Sequence, residues 1–445
     1  MIKQLLSLTG LFLCPFLFSQ ISVNGSQIKD LADPTEAQDA VTKAYIQSLE
    51  EKLNKLQNSL AKKGYYSDDI IWQRSEEIEN NYSTGFRNDW FSSLSDSYDN
   101  TVILGIKSNL GDDKIIPLLK KLDTDGNVLW ERSYDLSLKK EIRAVSIIEN
   151  NSKNGYVVTL WEREEINSGN NIRSGLFEIN HDGELVNYFV QPISIIFKDI
   201  NSFTDGYVTV SNTFSENGNV GFSVQEFSNN IESANSFFVD MDENFTAEKI
   251  IPFQGDYVIC GNTGDNGVVF RINPLTQQII WTKNLIAKQT KTIKNIEEDI
   301  FIIGIDNRET YESGFVMKID QNGNLQDEAY LDHSPIINMT IHNNDLYLIG
   351  TIVYNYSSVY GLTGYGQDDV IIHKLNYNLG IIWSKNYGGS YKEGPYGSQP
   401  YYAASIHIKN NKNIIIGTKT GSNDFLVERI KSLNGAHWIL EIQNN

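Results

Sequence analysis

Cysteine, histidine, methionine and proline are scarce in this chain of 445 residues, which contains 2 cysteines, 6 histidines, 4 methionines and 9 prolines. So few cysteines exclude the dense disulfide framework of many small exported domains. The histidines are scattered, without the pair at i and i+4 or the HExxH motif that a zinc helix needs. We therefore expect no metal and no cofactor.

Positive charge is also in the minority, since 37 Lys and Arg residues face 56 Asp and Glu residues and the net charge is −19. An acidic surface is repelled by phosphate backbones and by anionic lipid headgroups. Nucleic acid is therefore not an expected partner. The hydrophobic fraction of 40% is nevertheless ample for a packed core.

Long apolar runs are missing except for one at the start of the chain, "MIKQLLSLTGLFLCPFLFSQ". Lys3 precedes roughly fifteen mostly apolar residues that end in small or polar ones, which predicts a secretory signal peptide over residues 1–19. The run is short for a bilayer span, and no second run follows it. Cys14 would suit a lipoprotein, but the small residue expected before a lipidated cysteine is replaced by Leu13. We expect an exported protein, located outside the cell, at its surface or in the periplasm, with no membrane span after signal removal.

Signal removal leaves a single cysteine, Cys260. No internal disulfide can then form, so the apolar core alone must stabilise the chain. Cys260 lies in "DYVICGN", an apolar strand pattern, which favours a buried and unreactive thiol over a nucleophile.

A helical pattern follows in residues 46–63. Its apolar residues recur at spacings of three and four, the a/d pattern of a coiled coil: Ile46, Leu49, Leu53, Leu56 and Leu60. Roughly three heptads form a marginal helix alone. The helix therefore needs sister chains or the body of the protein as a partner, and the seam does not choose between two, three or four strands.

A short motif precedes this helix. "IKDLADPTEAQDAVTKAY", residues 28–45, resembles the I-x-N-L-x-D-P-x-x-x-x-D-A-x-T-K-x-Y segment of phage tail-fibre proteins, which also occurs in exported proteins of Bacteroidota. Asp30 stands where that family usually has Asn. In tail fibres the segment leads into trimeric stalks, so the resemblance implies a homotrimer held through residues 46–60, with residues 20–45 as a linker. The alternative is an amphipathic helix packed against the body.

The body, residues 65–445, repeats a unit of roughly fifty residues with four predicted strands. The clearest strand of the unit recurs seven times, and we call it the marker strand. Its copies begin near residues 101, 155, 206, 256, 299, 345 and 413. The strand that follows it along the chain also recurs seven times, starting near Ile115, Gly175, Val220, Val268, Phe315, Val370 and Phe425.

The two ends of the body match different strands of this unit. The strand that follows the marker strand along the chain is counted here as the first strand of the next unit. On this count the body opens with "DDIIWQRS", which matches a second strand. It closes with "FLVERIKSLNGAHWILEI", which supplies a first strand and one further strand. A repeat that starts in mid-unit and ends with the missing strand is typical of a ring closed by strand exchange. We predict an all-β, seven-bladed β-propeller of four-stranded blades with strand-exchange closure, preceded by the α-helical coiled coil.

The repeat as a whole can be written KLD-x-x-GN-x-x-W-x-K-x-Y…G-Y-x-V-x-G. It resembles the SBBP-type and related β-propeller repeats of exported Bacteroidota proteins over residues 70–445, most strongly in the first and sixth copies. Members of that family mostly lack an assigned activity. The resemblance therefore implies a scaffold and a location more than a chemistry.

The segment "LDTDGNVLWERSY", residues 122–134, has two interpretations: half of a calcium loop, or a tight turn between strands. The equivalent positions elsewhere read "NHDGE", "NPLTQ", "DQNGN", "NYNLG" and "KSLNG". Carboxylates give way there to Asn, Leu and Lys, whereas the short polar residues typical of turns persist. No glutamate completes a twelve-residue calcium loop. We predict hairpin turns and no metal site.

Tryptophan recurs at one place on the second strand of the unit, in Trp130, Trp281 and Trp383, with Trp72 and Trp438 matching at the closure. We expect these rings to pack between adjacent blades. Quinone-dependent propeller enzymes carry a similar D…G…W repeat. Their Ala-rich docking motifs and adjacent cysteines are missing from this sequence.

Two insertions, "YNYSSVYGLTGYGQDD" and "NYGGSYKEGPYGSQPYY", are longer than the corresponding connections elsewhere. Connections after the second and the fourth strand of a meander lie on one face, so the insertions should be neighbours. Tyrosines among glycines and serines are typical of adaptable recognition surfaces. The predicted ligand-binding residues are Tyr354, Tyr356, Tyr360, Tyr365, Tyr387, Tyr391, Tyr396, Tyr401 and Tyr402.

These features favour a non-enzymatic, exported adhesion module that binds an extracellular glycan or protein through one propeller face. No catalytic residue is assigned, because no G-x-S-x-G elbow, phosphate-binding loop or distinct acid pair stands out. One alternative is a glycan hydrolase or lyase with its acids at the propeller mouth. The other is a scaffold for envelope proteins.

Overall fold

The computed structural model describes residues 70–77, 80–81, 86–109, 114–136, 141–166, 169–191, 195–214, 220–241, 245–307, 312–353, 360, 368–388, 405–410, 412–420 and 436–444. The predicted signal peptide, linker, coiled-coil helix and trimer contact all lie outside these residues. The stretch Lys63–Asn445 forms one compact unit. No helix among the described residues is long and apolar enough to cross a membrane.

The described residues fold into strands, numbered here in chain order. The first ten are β1 (Ile70–Glu77), β2 (Asn80–Asn81), β3 (Phe86–Ser95), β4 (Thr101–Asn109), β5 (Lys114–Leu122), β6 (Val128–Ser133), β7 (Glu141–Glu149), β8 (Gly155–Ile166), β9 (Gly169–Asn180) and β10 (Leu185–Val190). The next eight are β11 (Ile196–Phe203), β12 (Gly206–Phe214), β13 (Val220–Ser228), β14 (Ser233–Met241), β15 (Phe245–Phe253), β16 (Asp256–Thr263), β17 (Asn266–Asn273) and β18 (Gln278–Leu285). The remainder are β19 (Lys288–Ile296), β20 (Asp299–Asp306), β21 (Ser313–Ile319), β22 (Leu325–Leu331), β23 (Ile336–His342), β24 (Asp345–Val353), β25 (Asp368–Leu375), β26 (Ile381–Tyr387), β27 (Ser405–Ile408), β28 (Ile414–Thr420) and β29 (Ala436–Ile442).

The strands pair in antiparallel groups of four that follow chain order. The groups β11–β14, β15–β18, β19–β22 and β23–β26 are separate sheets. The groups β3–β6 and β7–β10 have the same internal order, but a parallel bridge between Ile115 and Glu141 joins them, with β2 at one edge, into a nine-stranded sheet. This junction differs from the predicted separate four-stranded units, because the first residues of β5 and β7 approach within pairing distance.

The first and last described strands share a sheet, whose order is β1-β29-β28-β27. Strand β1 runs antiparallel to β29, with Glu77 opposite Ala436 and Ile70 opposite Ile442. The prediction placed a strand starting near Phe425 beside the last marker strand, but β29 occupies that place, and residues 421–435 lie outside the described part. Trp438 therefore lies on the third strand of this sheet, whereas the prediction matched it to the outer strand.

The marker strands are confirmed as β4, β8, β12, β16, β20, β24 and β28, each second in its group. Strands β16 and β20 are buried along nearly their whole length. A strand inside a sheet that is covered on both faces needs a continuous apolar run, which explains why the marker strand has the clearest signature. Outer strands such as β18 expose most of their residues and have a weaker pattern.

The apolar core lies between neighbouring groups, and each neighbouring pair shares one cluster of buried side chains. Between β11–β14 and β15–β18, the rings of Phe222, Phe245 and Phe270 lie 5.2 to 5.7 Å apart. Between the last sheet and the group β3–β6, Ile415 and Ile439 pack against residues of β4 and β5. The first strands of the groups also contact one another in succession, from β3 to β27 and back to β3.

Replacing Ile439 by alanine should destabilise the protein strongly, because this fully buried side chain joins the two ends of the described chain. We expect Ile439→Ala to lower the free energy of unfolding by about 2 to 5 kcal/mol. Ile382→Ala is the control, because Ile382 on β26 is half exposed; its loss should be about 1 kcal/mol or less. Urea denaturation measures both, and equal losses would contradict a core at this junction.

Candidate functional site

In the six groups from β3 to β26, the turn after the third strand is held by the side chain of its first residue. In residues 122–134, Asp123 Oδ1 accepts hydrogen bonds from the backbone N–H groups of Asp125 at 2.9 Å and Asn127 at 2.8 Å. Asn127 Nδ2 donates to Asp123 Oδ2 at 3.0 Å, and Gly126 has a φ of 82°. The predicted hairpin turn is confirmed, and the turn itself engages both carboxylate oxygens of Asp123.

The turn does not require a negative charge. At residues 376–380, Asn376 Oδ1 accepts the same two backbone hydrogen bonds, from Asn378 and Gly380. Leu379 occupies the position of positive φ, at 60°, where an L side chain is strained. Its side chain is buried in an apolar cluster, and this burial offsets the strain. Turn chemistry alone does not predict leucine at this position.

Tryptophan on the outer strand contacts the turn of the next group. Trp130 Nε1 donates to the carbonyl of His181 at 2.8 Å, and Trp281 Nε1 donates to the carbonyl of Gln321 at 2.9 Å. A Cβ atom on Gly323 would lie 3.0 Å from Trp281 Cδ2, so the indole lies against that glycine. The predicted packing between blades is confirmed for these two rings.

The remaining tryptophans of the predicted set differ. Trp383 packs against the same cluster as Tyr347, but its Nε1 has no hydrogen-bond acceptor among the described residues. Nothing is described of the side chains of Trp72 and Trp438.

Asp320→Ala tests whether these aspartates build turns or bind calcium. Asp320 Oδ1 accepts hydrogen bonds from the backbone of Asn322 and Asn324, both at 2.8 Å. Their loss should lower the free energy of unfolding by about 1 kcal/mol. Urea denaturation should give the same loss in calcium chloride and in EDTA, and Asp320→Asn, which keeps an acceptor, should lose less. Calcium that stabilised the native chain but not Asp320→Ala would contradict the turn.

The two tyrosine-rich insertions leave the same end of one sheet. Strand β24 ends at Val353 opposite Asp368 of β25, and Val370 of β25 lies opposite Tyr387 at the end of β26. The connections 354–367 and 388–404 therefore start side by side. This arrangement agrees with the predicted adjacency of the two insertions.

Of the nine predicted ligand-binding tyrosines, the structure describes Tyr360 and Tyr387. The others lie outside the described residues: Tyr354, Tyr356, Tyr365, Tyr391, Tyr396, Tyr401 and Tyr402. Tyr360 donates a hydrogen bond from its hydroxyl to the carbonyl of Asp332 at 2.9 Å. Tyr387 is only 1% exposed and packs in a core cluster with Val370 and Ile406. Its assignment to a recognition surface is corrected, because its ring contributes to the core.

A buried polar group lies beneath Tyr360, whose ring centroid is 4.8 Å from that of His373 in an edge-to-face contact. His373 Nε2 lies 2.9 Å from Ser334 Oγ, and His373 Nδ1 lies 2.7 Å from Ser384 Oγ. Burial lowers the pKa of His373 to about 3, so the ring is neutral at neutral pH. A neutral imidazole has one donor and one acceptor, and two hydroxyls satisfy both. The group therefore supports Tyr360 from below.

The buried histidines predict a loss of stability in acid. Burial lowers the pKa of His373 to about 3 and that of His407 to about 4, whereas both titrate near 6.5 in an unfolded chain. Below pH 6.5 the unfolded state binds more protons, so this stability is complete above pH 6.5 and is lost as the pH falls towards 3. For His373 the loss at pH 4 is about 3 kcal/mol. Urea denaturation at pH 7 and pH 4 should show a smaller difference for His373→Gln, and an unchanged difference would contradict the assignment.

A charge cluster lies on the first strands of three successive groups. Each of the six first strands from β3 to β23 has a register shift at the same place, and a bulge of this kind redirects side chains. The residues at this place in β11, β15 and β19 include Lys198, Asp199, Glu248, Lys249 and Lys291. The sequence analysis did not identify these residues, although Asp199 precedes β12 and Lys249 precedes β16 by the same number of residues.

The charges in this cluster are partly paired. Asp199 Oδ1 accepts a hydrogen bond from Lys249 Nζ at 2.8 Å, and its Oδ2 accepts one from the backbone of Ile250 at 3.2 Å. Burial disfavours the charged form of Lys249, but Asp199 and Glu248 favour it, and the pKa of Lys249 is raised. Burial raises the pKa of Glu248, although Lys291, Lys198 and Lys249 oppose the shift.

The remaining cysteine lies beside the charge cluster, because Cys260 stands opposite Lys249 on the neighbouring strand. Cys260 lies in β16 and is completely buried as a free thiol. Burial raises its pKa to about 12, so the reactive thiolate is not formed at neutral pH. The prediction of a buried and unreactive thiol is confirmed.

Comparisons with known proteins point to the fold. No family model matches the chain. A stretch of 71 residues is 34% identical to the "Anchor protein" of Klebsiella phage KP34 and covers 16% of this chain and 23% of that protein. The WD40 domain of Neurospora crassa Pan2 is similar with a TM-score of 0.50 at 8% identity, over 84% of this chain and 95% of that one. Pyrococcus horikoshii acylaminoacyl peptidase is similar with a TM-score of 0.49 at 8% identity, over 82% of this chain and 52% of the peptidase.

This chain thus spans about half the length of the peptidase and about a quarter of the phage protein. The low structural identities carry information about fold alone. Together with the successive four-stranded groups, the similarity to the Pan2 domain shows that this chain has a β-propeller fold. In that architecture the blades surround a central channel.

Proposed function

We propose that this chain is a seven-bladed, ring-closed β-propeller that acts as a non-enzymatic, exported binding module. The shared clusters between neighbouring groups and the succession of first-strand contacts from β3 back to β3 support a closed ring. The pairing of β1 with β29 supports closure by strand exchange. A closed ring covers the sheet edges that would otherwise pair with other chains.

Recognition takes place on the face formed by the connections 354–367 and 388–404, and the ligand is an extracellular glycan or protein. The observation that carries this proposal is the common origin of the two connections at the ends of β24 and β26. Tyr360, held above His373, gives this face a fixed aromatic ring at its base. Tyrosine provides a large contact area and a hydroxyl at low entropic cost.

The N-terminal segment attaches the propeller. Residues 1–19 direct export, and a homotrimer through residues 46–60 presents three recognition faces, which strengthens binding to a repetitive surface. The similarity of a short stretch to a phage protein named as an anchor supports an attachment role for part of the chain. A scaffold for envelope proteins would share this stalk but would not need the tyrosines.

Paired charges favour a binding module over a glycan hydrolase or lyase. Such an enzyme needs one carboxylic acid and one free carboxylate at the reacting bond. In the described part of the channel, Asp199 pairs with Lys249, and Glu248 is surrounded by lysines. Both oxygens of Asp199 are thus engaged by the protein itself, so this group is not the free carboxylate that such a pair needs.

Alanine in place of the tyrosines of the two connections tests the proposal. We expect the exported chain to bind a ligand class on a glycan array or in a pull-down. Changing Tyr354, Tyr356 and Tyr365, or Tyr391, Tyr396 and Tyr401, should weaken that binding at least about tenfold, because stacking area is lost. Tyr98→Ala is the control, because Tyr98 is exposed on a hairpin at the opposite end of its sheet. Binding that survived both triple changes would refute the proposed face.

A further inference from the structure

A cavity of about 360 Å³ lies at the ends of four successive first strands, β11, β15, β19 and β23. Its polar lining comes from Asn201, Lys294, Asn295 and Thr340, and an apolar wall comes from Ile251 and Pro252. These residues stand next to the hairpins that lead into the marker strands, as Thr340 opposite Tyr347 shows. The tyrosine-rich connections leave the opposite end of the sheets. The cavity is therefore separate from the proposed recognition face.

Lys294 brings an amine into this cavity, and the described part of the chain offers it neither an ion-pair partner nor a hydrogen-bond acceptor. Burial lowers the pKa of Lys294, with Asp199 opposing the shift and Lys249 reinforcing it. The charged groups that act on Lys294 are Asp199 and Lys249, and Lys294 in turn acts on His407. With Lys198, Glu248 and Lys291 of the charge cluster, the first strands β11, β15 and β19 carry four lysines and two carboxylates here, in a chain whose net charge is −19.

Lys294 is partly buried in the cavity wall, and an ammonium group that is partly withdrawn from water and has no ion-pair partner among the described residues gains from an anionic ligand. The amides of Asn201 and Asn295 and the hydroxyl of Thr340 can bind hydroxyl groups, while Pro252 and Ile251 can contact the carbon skeleton of a ligand. The hairpins at this rim also carry carboxylates: Asp205, Glu297 and Glu298. These three side chains are exposed, so water and salt screen their repulsion of an anion.

We propose that this cavity binds a small polyhydroxylated carboxylate, the chemical class of the sugar acids, with the carboxylate on Lys294. The volume is at the small end of ligand pockets and accommodates a single sugar acid. The charge of Lys294 selects the carboxylate, and the amides and hydroxyl select the polyhydroxylated carbon chain. The site functions independently of the tyrosine-rich connections.

Isothermal titration of the mature chain with sodium glucuronate tests this proposal, with glucose and sodium acetate as comparison ligands. We expect glucuronate to bind at least about tenfold more tightly than glucose, which lacks the charge, and than acetate, which lacks the hydroxyls. Lys294→Met should weaken glucuronate binding at least about tenfold. Asn295→Ala, at the exposed edge of the lining, should weaken it about threefold.

Lys153→Met is the matched control, because Lys153 is an exposed lysine on a hairpin of the same face and outside the lining. It should leave glucuronate affinity unchanged, as should the tyrosine changes described above. Without ligand, Lys294→Met should keep or raise the melting temperature, whereas a purely structural lysine would lower it. No glucuronate binding, equal binding of glucose, full affinity in Lys294→Met, or failure of Lys294→Met to fold would each overturn the proposal.

Discussion

Each sheet of this protein has two apolar faces, and only the neighbouring sheets can cover them. The marker strands show the consequence most directly, because β16 and β20 are buried on both sides. A sheet with two covered faces cannot end a stack without exposing one of them. The clusters shared by each neighbouring pair, including the one that joins Ile439 to the first group, meet this requirement.

The contact between tryptophan and turn couples one sheet to the next. The turn at Asp320 is held by its carboxylate and allows positive φ at Gly323. The missing side chain of that glycine leaves room for the indole of Trp281, which also donates to the carbonyl of Gln321. A turn residue, a glycine and a tryptophan that are distant in the sequence thus form one contact. Where Leu379 replaces the glycine, burial of its side chain has replaced conformational freedom as the stabilising factor.

Buried polar residues form two groups that differ in chemistry. Around Tyr360, neutral groups such as His373 and its serine partners support the ring. In the middle of β11, β15 and β19, lysines and carboxylates form a cluster with an excess of positive charge. The strongly acidic composition of the whole chain gives no hint of this local excess, because composition averages over the surface and the channel.

Local patterns predicted much of the fold. Continuous apolar runs identified every marker strand, and short polar residues identified the turns, because burial and positive φ each restrict the residue types that fit. The strands of the last sheet were harder to predict, because two apolar segments near the C-terminus have similar patterns. Only the strand pairing shows which of the two lies beside the last marker strand. The bridge between Ile115 and Glu141 could not be predicted from the sequence either, because it depends on how closely the ends of two strands approach.

The candidate sites also combine features that the sequence predicted with features that it did not predict. The sequence determined which connections are long and rich in tyrosine, but burial of Tyr387 followed from the place of its strand end against the next sheet. The cluster around Asp199 and Lys249 joins residues of different repeats. By itself the sequence determined the strands, the turns and the repeat, because these depend on neighbouring residues along the chain. Only the tertiary structure decided which charges meet and which tyrosines are exposed, because burial and electrostatic pairing depend on distances between sheets.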